Sequence, residues 1–168
     1  MKFLYASSVS RSRQYSGILK KVVGQTRGVA RLGWEAFYTC IESSSVALYS
    51  EADLPVQQKP FEPGMRWRKQ QKAITDRICD LAQNGAYDAV YIKGLLANPY
   101  AYRIAAAAKA GNPSCKVIFE VATYPYWGEY KRFFRVDRQK RDIRAFMGHV
   151  LEVFQHFTSA PRMKRKVD

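Results

Sequence analysis

The sequence predicts an α/β domain with a mostly parallel sheet and helices on both of its faces. Short, β-branched apolar segments alternate with segments whose apolar residues recur at helical spacing, which is the pattern of βαβ units. Residues typical of helix starts and helix stops separate these segments. One buried strand, residues 115–121, runs into an aromatic stretch in which Pro125 and Gly128 prevent the strand from continuing.

The amino-terminal part predicts a strand, a helix and two further strands. Residues 2–8 are expected to form strand one, and Ser16 is expected to cap a helix whose apolar stripe lies within residues 18–32. Gly33 provides its C-terminal cap. Two strands that could pair as a hairpin follow over residues 34–41 and 46–50.

The middle of the chain predicts a loop, two helices and a strand. Residues 51–64 contain three prolines and are expected to form a loop. A helix is expected over residues 65–84 and a buried strand over residues 88–93. Asn98 followed by Pro99 is a strong helix start, and it opens an alanine-rich helix.

The carboxyl-terminal part predicts a long amphipathic helix over residues 137–157. Its apolar residues share one face, which is expected to pack in the core: Ile143, Phe146, Met147, Val150, Phe154 and Phe157. Residues 161–168 are expected to be a basic tail that leads to a further strand or a second domain. Right-handed crossovers between the five strands predict the order 3-2-1-4-5, so residues 1–160 form one Rossmann-like domain.

Charge and cysteine content limit the function classes. The net charge is +14, from 28 basic and 14 acidic residues, and residues 131–168 alone hold 11 basic and 4 acidic residues. This excess predicts an anionic partner, either a membrane surface or nucleic acid, although a solvated cationic face would give the same composition. Three irregularly spaced cysteines predict core residues in a reducing cytosol, with no disulfide framework and no metal site.

Two stretches carry a family resemblance. The segment from Glu120 to Tyr130, EVATYPYWGEY, and the opening strand with residues 16–21, SGILKK, resemble the amino-terminal half of a bacterial glycosyltransferase. The family is the two-Rossmann-domain (GT-B) type, family 4-like or group 1, which builds exopolysaccharide, capsule and related glycans. The resemblance implies that this half binds the acceptor at the carboxyl end of its sheet.

The residues expected to bind the acceptor lie after predicted strands. They are Ser16, Gly17, Lys93, Thr123, Tyr124, Tyr126, Glu129 and Tyr130. Aromatic rings can stack on sugars and Glu129 can accept hydroxyl protons, but a helix-capping turn at Ser16 and an aromatic loop packed on protein explain the same residues. Many relatives have a histidine after this strand, where this chain has Thr123 and Tyr124. No catalytic residue is assigned.

A cationic segment before the last helix is expected to face a membrane. Its residues are Lys131, Arg132, Arg135, Arg138, Lys140 and Arg141. Cations beside aromatic residues are typical of elements that contact an anionic leaflet, at about 1 kcal/mol per cation. The protein is therefore expected to be cytoplasmic and peripheral at the inner face of the cell membrane, where it would meet a lipid-linked acceptor.

The resemblance also implies a partner. A second Rossmann domain or subunit binds the nucleotide sugar in this family, so the present chain is expected to hold no cofactor and to be inactive by itself. GxGxxG and GxxxxGK[ST] phosphate motifs are absent from the sequence. Two alternatives stay open: a basic α/β protein that binds nucleic acid, and a non-catalytic, membrane-associated subunit of a split glycosyltransferase.

Overall fold

The computed structural model describes residues 1–12, 14, 16–62, 64–94, 99–121, 143–165 and 167. Within these ranges the chain forms six strands and four helices. In chain order they are β1 (Lys2–Ala6), α1 (Ser16–Ala30), β2 (Glu35–Glu42), β3 (Ser45–Ser50), β4 (Pro55–Pro60), α2 (Trp67–Asn84), β5 (Ala89–Gly94), α3 (Pro99–Gly111), β6 (Lys116–Val121) and α4 (Ile143–Lys164). The strands form a single sheet in the order β4-β3-β2-β1-β5-β6.

Strand β1 lies at the centre of the parallel part of the sheet. It pairs in parallel with β2 on one side and with β5 on the other, and β5 pairs in parallel with β6. Leu4 and Tyr5 are fully buried on opposite faces of the sheet. Since these four strands run in the same direction, the carboxyl ends of β1, β2, β5 and β6 meet at one end of the sheet.

Each face of the sheet has its own core. On one face Leu4 and Val90 pack with Ile78 from α2 and Ile104 from α3. On the other face Tyr5 and its neighbours pack with α1, for example through Val22. Helices therefore cover both faces, and the predicted α/β class with a mostly parallel sheet is confirmed.

The five predicted strands occur in the predicted order, with one strand added. β4 lies inside residues 51–64, which the sequence analysis assigned to a loop, and that prediction was wrong. β4 pairs antiparallel with β3 at the margin of the sheet. Proline is tolerated on such a strand, because an outer strand does not need every backbone N–H for pairing. Pro55 and Pro60 stand at its two ends.

The last helix differs from the prediction at its end. Residues 161–164 belong to α4 and do not form a tail, although Pro161 lies inside the helix. Proline removes one helical hydrogen bond, and burial of the next turn offsets that loss. Met163 packs in the core at 3% exposure, with Val167 beside it.

The apolar face of α4 also contradicts the prediction. Ile143, Met147 and Phe154 were expected in the core, yet they are 77%, 57% and 64% exposed. Among the α4 side chains whose burial the structure describes, Met163 is the one in the core, and it lies about half a turn around the helix from Met147 and Phe154. The helix therefore uses a different side to contact the domain. None of the described helices is long and apolar enough to cross a membrane.

Two glycine substitutions test the helix packing in opposite directions. In Gly24→Ala, the added Cβ meets no atom within 4 Å, so replacing a mid-helix glycine should raise the free energy of unfolding by about 0.5–1 kcal/mol.

In Gly111→Ala, the Cβ would overlap the backbone oxygen of Gln83, where α3 meets α2. We expect that variant to lose about 1–3 kcal/mol. Urea unfolding followed by circular dichroism measures both, and equal effects would contradict this packing.

Candidate functional site

A carboxylate, an amine and two phenols meet near the carboxyl end of the parallel strands. The carboxylate of Glu120 accepts a hydrogen bond of 2.6 Å from the Lys21 amine and one of 2.8 Å from the Tyr91 hydroxyl. The Tyr5 hydroxyl lies 3.5 Å from the same carboxylate. The Tyr5 and Tyr91 rings are in contact, with centroids 4.8 Å apart. We call these four residues the Glu120 cluster.

Strand register brings the Glu120 cluster together. Tyr5 in β1 is directly opposite Tyr91 in β5, and Lys93 is directly opposite Glu120 in β6. Paired residues in a parallel sheet share a face, and so do residues two apart along a strand. Helix α1 covers this face, and Lys21 in its second turn reaches Glu120. Lys93 stands on the same face and its charge acts on the Glu120 carboxylate.

The protonation states in the Glu120 cluster follow from its contacts. Burial opposes ionisation of Glu120, but hydrogen bonds from Lys21 and Tyr91 outweigh it and hold the pKa of Glu120 below its usual value. Burial and the hydrogen bond to Glu120 raise the pKa of Tyr91 to about 12. Burial also raises the pKa of Tyr5. At neutral pH the cluster therefore holds an anionic carboxylate and two neutral phenols beside the Lys21 amine.

Three of the residues predicted to bind an acceptor lie at this end of the sheet. Ser16 and Gly17 begin α1, and a Cβ added at Gly17 would meet open space. Lys93 is the next-to-last residue of β5. The other predicted acceptor residues, Thr123, Tyr124, Tyr126, Glu129 and Tyr130, lie outside the described residues. The same is true of the predicted membrane-facing residues, Lys131, Arg132, Arg135, Arg138, Lys140 and Arg141.

Sequence reasoning did not single out Lys21, Tyr5, Tyr91 or Glu120 in β6 as members of a site. One signal was present, since Glu120 is a carboxylate in an otherwise apolar run that was assigned to a buried strand. A buried carboxylate needs a partner, so it should have prompted a search for a cation. The identity of that cation was not predictable, because Lys21 and Glu120 are 99 positions apart in the chain.

A second polar cluster fixes the loop between β1 and α1. The Arg11 guanidinium donates to Asp53 at 2.8 and 3.3 Å and to the Tyr38 hydroxyl at 3.0 Å. It also lies 4.5 Å above the centre of the Tyr49 ring. The backbone N–H of Arg11 donates to the carbonyl of Ile41 at 3.1 Å, so the loop runs beside the end of β2. We call Arg11, Asp53, Tyr38 and Tyr49 the Arg11 cluster.

The Arg11 cluster has the character of a structural ion pair. The hydrogen bond from Arg11 is the main reason why the pKa of Asp53 lies below its ordinary value. The Tyr38 hydroxyl donates a hydrogen bond to the same carboxylate. Glu42 adds a second carboxylate 3.4 Å from the Arg11 guanidinium. Arg11 therefore makes these hydrogen bonds to other residues of the protein and not to a ligand. The cluster therefore anchors the loop that leads to Ser16 and Gly17.

Cysteine and metal chemistry find no support among the described residues. Cys40 and Cys115 are buried, and all three cysteines are free. Burial raises the pKa of Cys40 to about 12 and that of Cys79 to about 11, so neither thiol ionises readily. Within the described ranges, no group of three or more histidine, cysteine, aspartate or glutamate residues is placed to hold a metal ion.

Comparison with known proteins identifies no matching family model, no matching curated protein and no matching solved structure.

Glu120→Gln tests the Glu120 cluster through the pH dependence of stability. Because the folded pKa of Glu120 is lowered, its contribution is present above the unfolded value of 4.5 and is lost as the pH falls through the folded pKa. At pH 7 we expect the variant to lose about 1–2 kcal/mol in free energy of unfolding. The difference from the wild type should shrink below pH 4.5.

Glu35→Gln is the matched control for that experiment. Glu35 is 57% exposed and lies 3.9 Å from Lys2, so its removal should cost less than about 0.5 kcal/mol at any pH. Urea titrations between pH 3 and pH 8 measure both variants. A Glu120→Gln effect that is independent of pH would contradict the ionised Glu120 cluster.

Thiol reactivity tests the assignment of the cysteines to the core. Cys40 and Cys115 are buried, so both should react with Ellman's reagent at pH 8 only when the protein unfolds. The raised pKa of the Cys79 thiol predicts that Cys79 reacts slowly. In urea all three should react at once. Rapid labelling of Cys40 in the folded protein would contradict this assignment, because it would show that the core beneath α1 is accessible to solvent.

Proposed function

We propose that this chain is the acceptor-side domain of a GT-B-type glycosyltransferase. It acts in cell-surface polysaccharide synthesis, where a sugar passes from a nucleotide sugar to a lipid-linked or glycan acceptor. The observation that carries the proposal is the place of the Glu120 cluster in the sheet. From β1 the chain crosses to β2 on one side, and from β5 it crosses to β6 on the other, so the crevice between β1 and β5 is the topological switch point. Open α/β sheets bind ligands there.

The groups at this crevice suit a polyhydroxylated or phosphorylated acceptor. Lys93 and Ser16 supply hydrogen-bond donors, and the start of α1 adds backbone N–H groups and the positive end of the helix dipole. Glu120 is already held by Lys21 and Tyr91, and its lowered pKa makes it a weak base. We therefore assign Glu120 to positioning Lys21, and leave the catalytic base to another part of the enzyme.

The donor side belongs to a second Rossmann domain, on the same polypeptide or on a partner subunit. That domain would bind the nucleotide sugar, in agreement with the lack of dinucleotide and P-loop motifs in this sequence. Thr123, Tyr124, Tyr126, Glu129 and Tyr130 keep the acceptor role that the resemblance gives them. The proposed location is the cytoplasmic side of the cell membrane.

Isothermal titration with octyl glycosides below their micelle concentration tests this proposal. Octyl glucoside, octyl galactoside and octyl N-acetylglucosaminide serve as analogues of a lipid-linked acceptor. We expect at least one to bind, and Lys93→Met to weaken it by at least tenfold, since a hydrogen bond from a charged donor would be lost. Lys116→Met is the control, because Lys116 is exposed at the first residue of β6, which lies at the amino end of the parallel strands.

Nucleic acid binding is the competing outcome, because the chain carries a net charge of +14. Titration with single-stranded RNA at two salt concentrations separates the two functions. Tight RNA binding with a steep salt dependence, together with no response to any octyl glycoside, would overturn the glycosyltransferase proposal. Weak RNA binding that vanishes in moderate salt is what a merely cationic surface gives.

A further inference from the structure

Helix α4 presents an apolar surface to solvent. Five of its large apolar side chains are between 38% and 77% exposed: Ile143, Met147, Val150, Leu151 and Phe154. Phe146 and Phe157 lie on the same side and are 39% and 54% exposed. Single exposed apolar residues are common on protein surfaces, but a contiguous group of this size marks a contact with a protein or a membrane.

The five side chains form one narrow stripe. At about 100° per residue they fall within an arc of roughly 100° around the helix axis. Met163, which packs in the core, lies on the other side of the helix, and α4 contacts the domain through α3. The stripe therefore points away from the domain. We call Ile143, Met147, Val150, Leu151 and Phe154 the α4 stripe.

Positive charge stands at the carboxyl end of the α4 stripe. Arg162 and Arg165 are exposed there, and Arg144 is the second residue of α4 in the sequence. Residues 131–144, which precede and enter the helix, include seven lysines and arginines. Between residues 145 and 161 the sole charged residue is Glu152, which helical geometry places opposite the stripe. The stripe is thus apolar, it has exposed cations at its carboxyl end, and the sequence that precedes it is rich in lysine and arginine.

The apolar stripe and its neighbouring cations favour an anionic membrane over a second copy of the chain as the partner of α4. A second copy of the chain would bring the cations of two molecules together, each with a net charge of +14, and electrostatic repulsion would oppose the contact. An anionic phospholipid leaflet offers acyl chains to the stripe and phosphate groups to the cations. A helix that lies in this interface binds through both terms.

We propose that α4 docks along the surface of an anionic phospholipid bilayer. The α4 stripe enters the boundary between headgroups and acyl chains, while Arg162 and Arg165 contact lipid phosphates. The contact is peripheral, in agreement with the absence of a membrane-crossing helix among the described residues. The inference does not depend on the proposed glycosyl transfer.

Vesicle flotation tests the inference. The probes are vesicles of phosphatidylcholine alone and of an equimolar mixture of phosphatidylcholine and phosphatidylglycerol. We expect the protein to float with the mixed vesicles. The double variant Met147→Ser/Phe154→Ser should bind at least tenfold more weakly, which corresponds to about 1.4 kcal/mol. Replacing Arg162 and Arg165 by glutamine should weaken binding about fivefold per cation.

A matched control removes equal apolar surface elsewhere. Leu32→Ser/Leu54→Ser changes two residues that are 77% and 63% exposed, and it should bind as the wild type does. Ile143→Ser, at the most exposed position of the stripe, provides a second single-residue variant if the double variant fails to fold. Circular dichroism establishes that each variant is folded before flotation.

Three outcomes would overturn the inference. The first is no binding to the mixed vesicles. The second is binding that resists both Met147→Ser/Phe154→Ser and Ile143→Ser, because charge alone would then hold the protein on the vesicle. The third is a dimer in sedimentation velocity that the same serine variants dissociate, because a second copy would then cover the stripe. Loss of octyl glycoside binding would affect the proposed function but not this inference.

Discussion

The parallel pairing of β1 with a neighbour on each side is the constraint on which the rest of this structure depends. β1 is short and almost fully buried, so its two faces must both be covered and its register is strongly specified. A slip by one residue would exchange Leu4 and Tyr5 between the two cores. The same register places Tyr5 beside Tyr91, and β6 then adds Glu120 to the same face. The candidate site is therefore a consequence of how the sheet is paired.

The two polar clusters have different tasks in this arrangement. The Arg11 cluster connects the loop after β1 to the β2–β3 hairpin and to the turn that holds Asp53. It thereby fixes the approach to the first residues of α1. The Glu120 cluster connects α1 to β6 across the crevice beside β1. Together they hold α1 against the sheet, so the start of α1 and Lys93 in β5 lie at the same end of the parallel strands.

Much of the fold was predictable from the sequence because the signals are local. Short β-branched runs gave five of the six strands, and residues such as Ser16 and Pro99 marked the helix starts. β4 was missed because its terminal prolines resemble loop residues, and only pairing with β3 reveals that they lie on an outer strand. The extent of α4 was missed for a similar reason, since burial of Met163 outweighs the presence of Pro161.

The candidate site was predictable only in part. Ser16, Gly17 and Lys93 follow directly from strand and helix boundaries, so their place at the carboxyl end of the sheet could be foreseen. The Lys21–Glu120 contact depends on how α1 crosses the sheet, which no local pattern reports. Likewise, the periodicity of α4 indicates which side chains share a face, but it does not indicate what covers that face. Hence the predicted core surface is instead exposed.

We propose that the crevice between β1 and β5 binds a carbohydrate acceptor. Hydrogen exchange measured by mass spectrometry, with and without an octyl glycoside that binds, tests it most directly. An acceptor bound there should slow exchange at the start of α1 and at the carboxyl ends of β5 and β6, with no change at the opposite end of the sheet. Protection confined to the amino ends of these strands, or to β3 and β4, would contradict it.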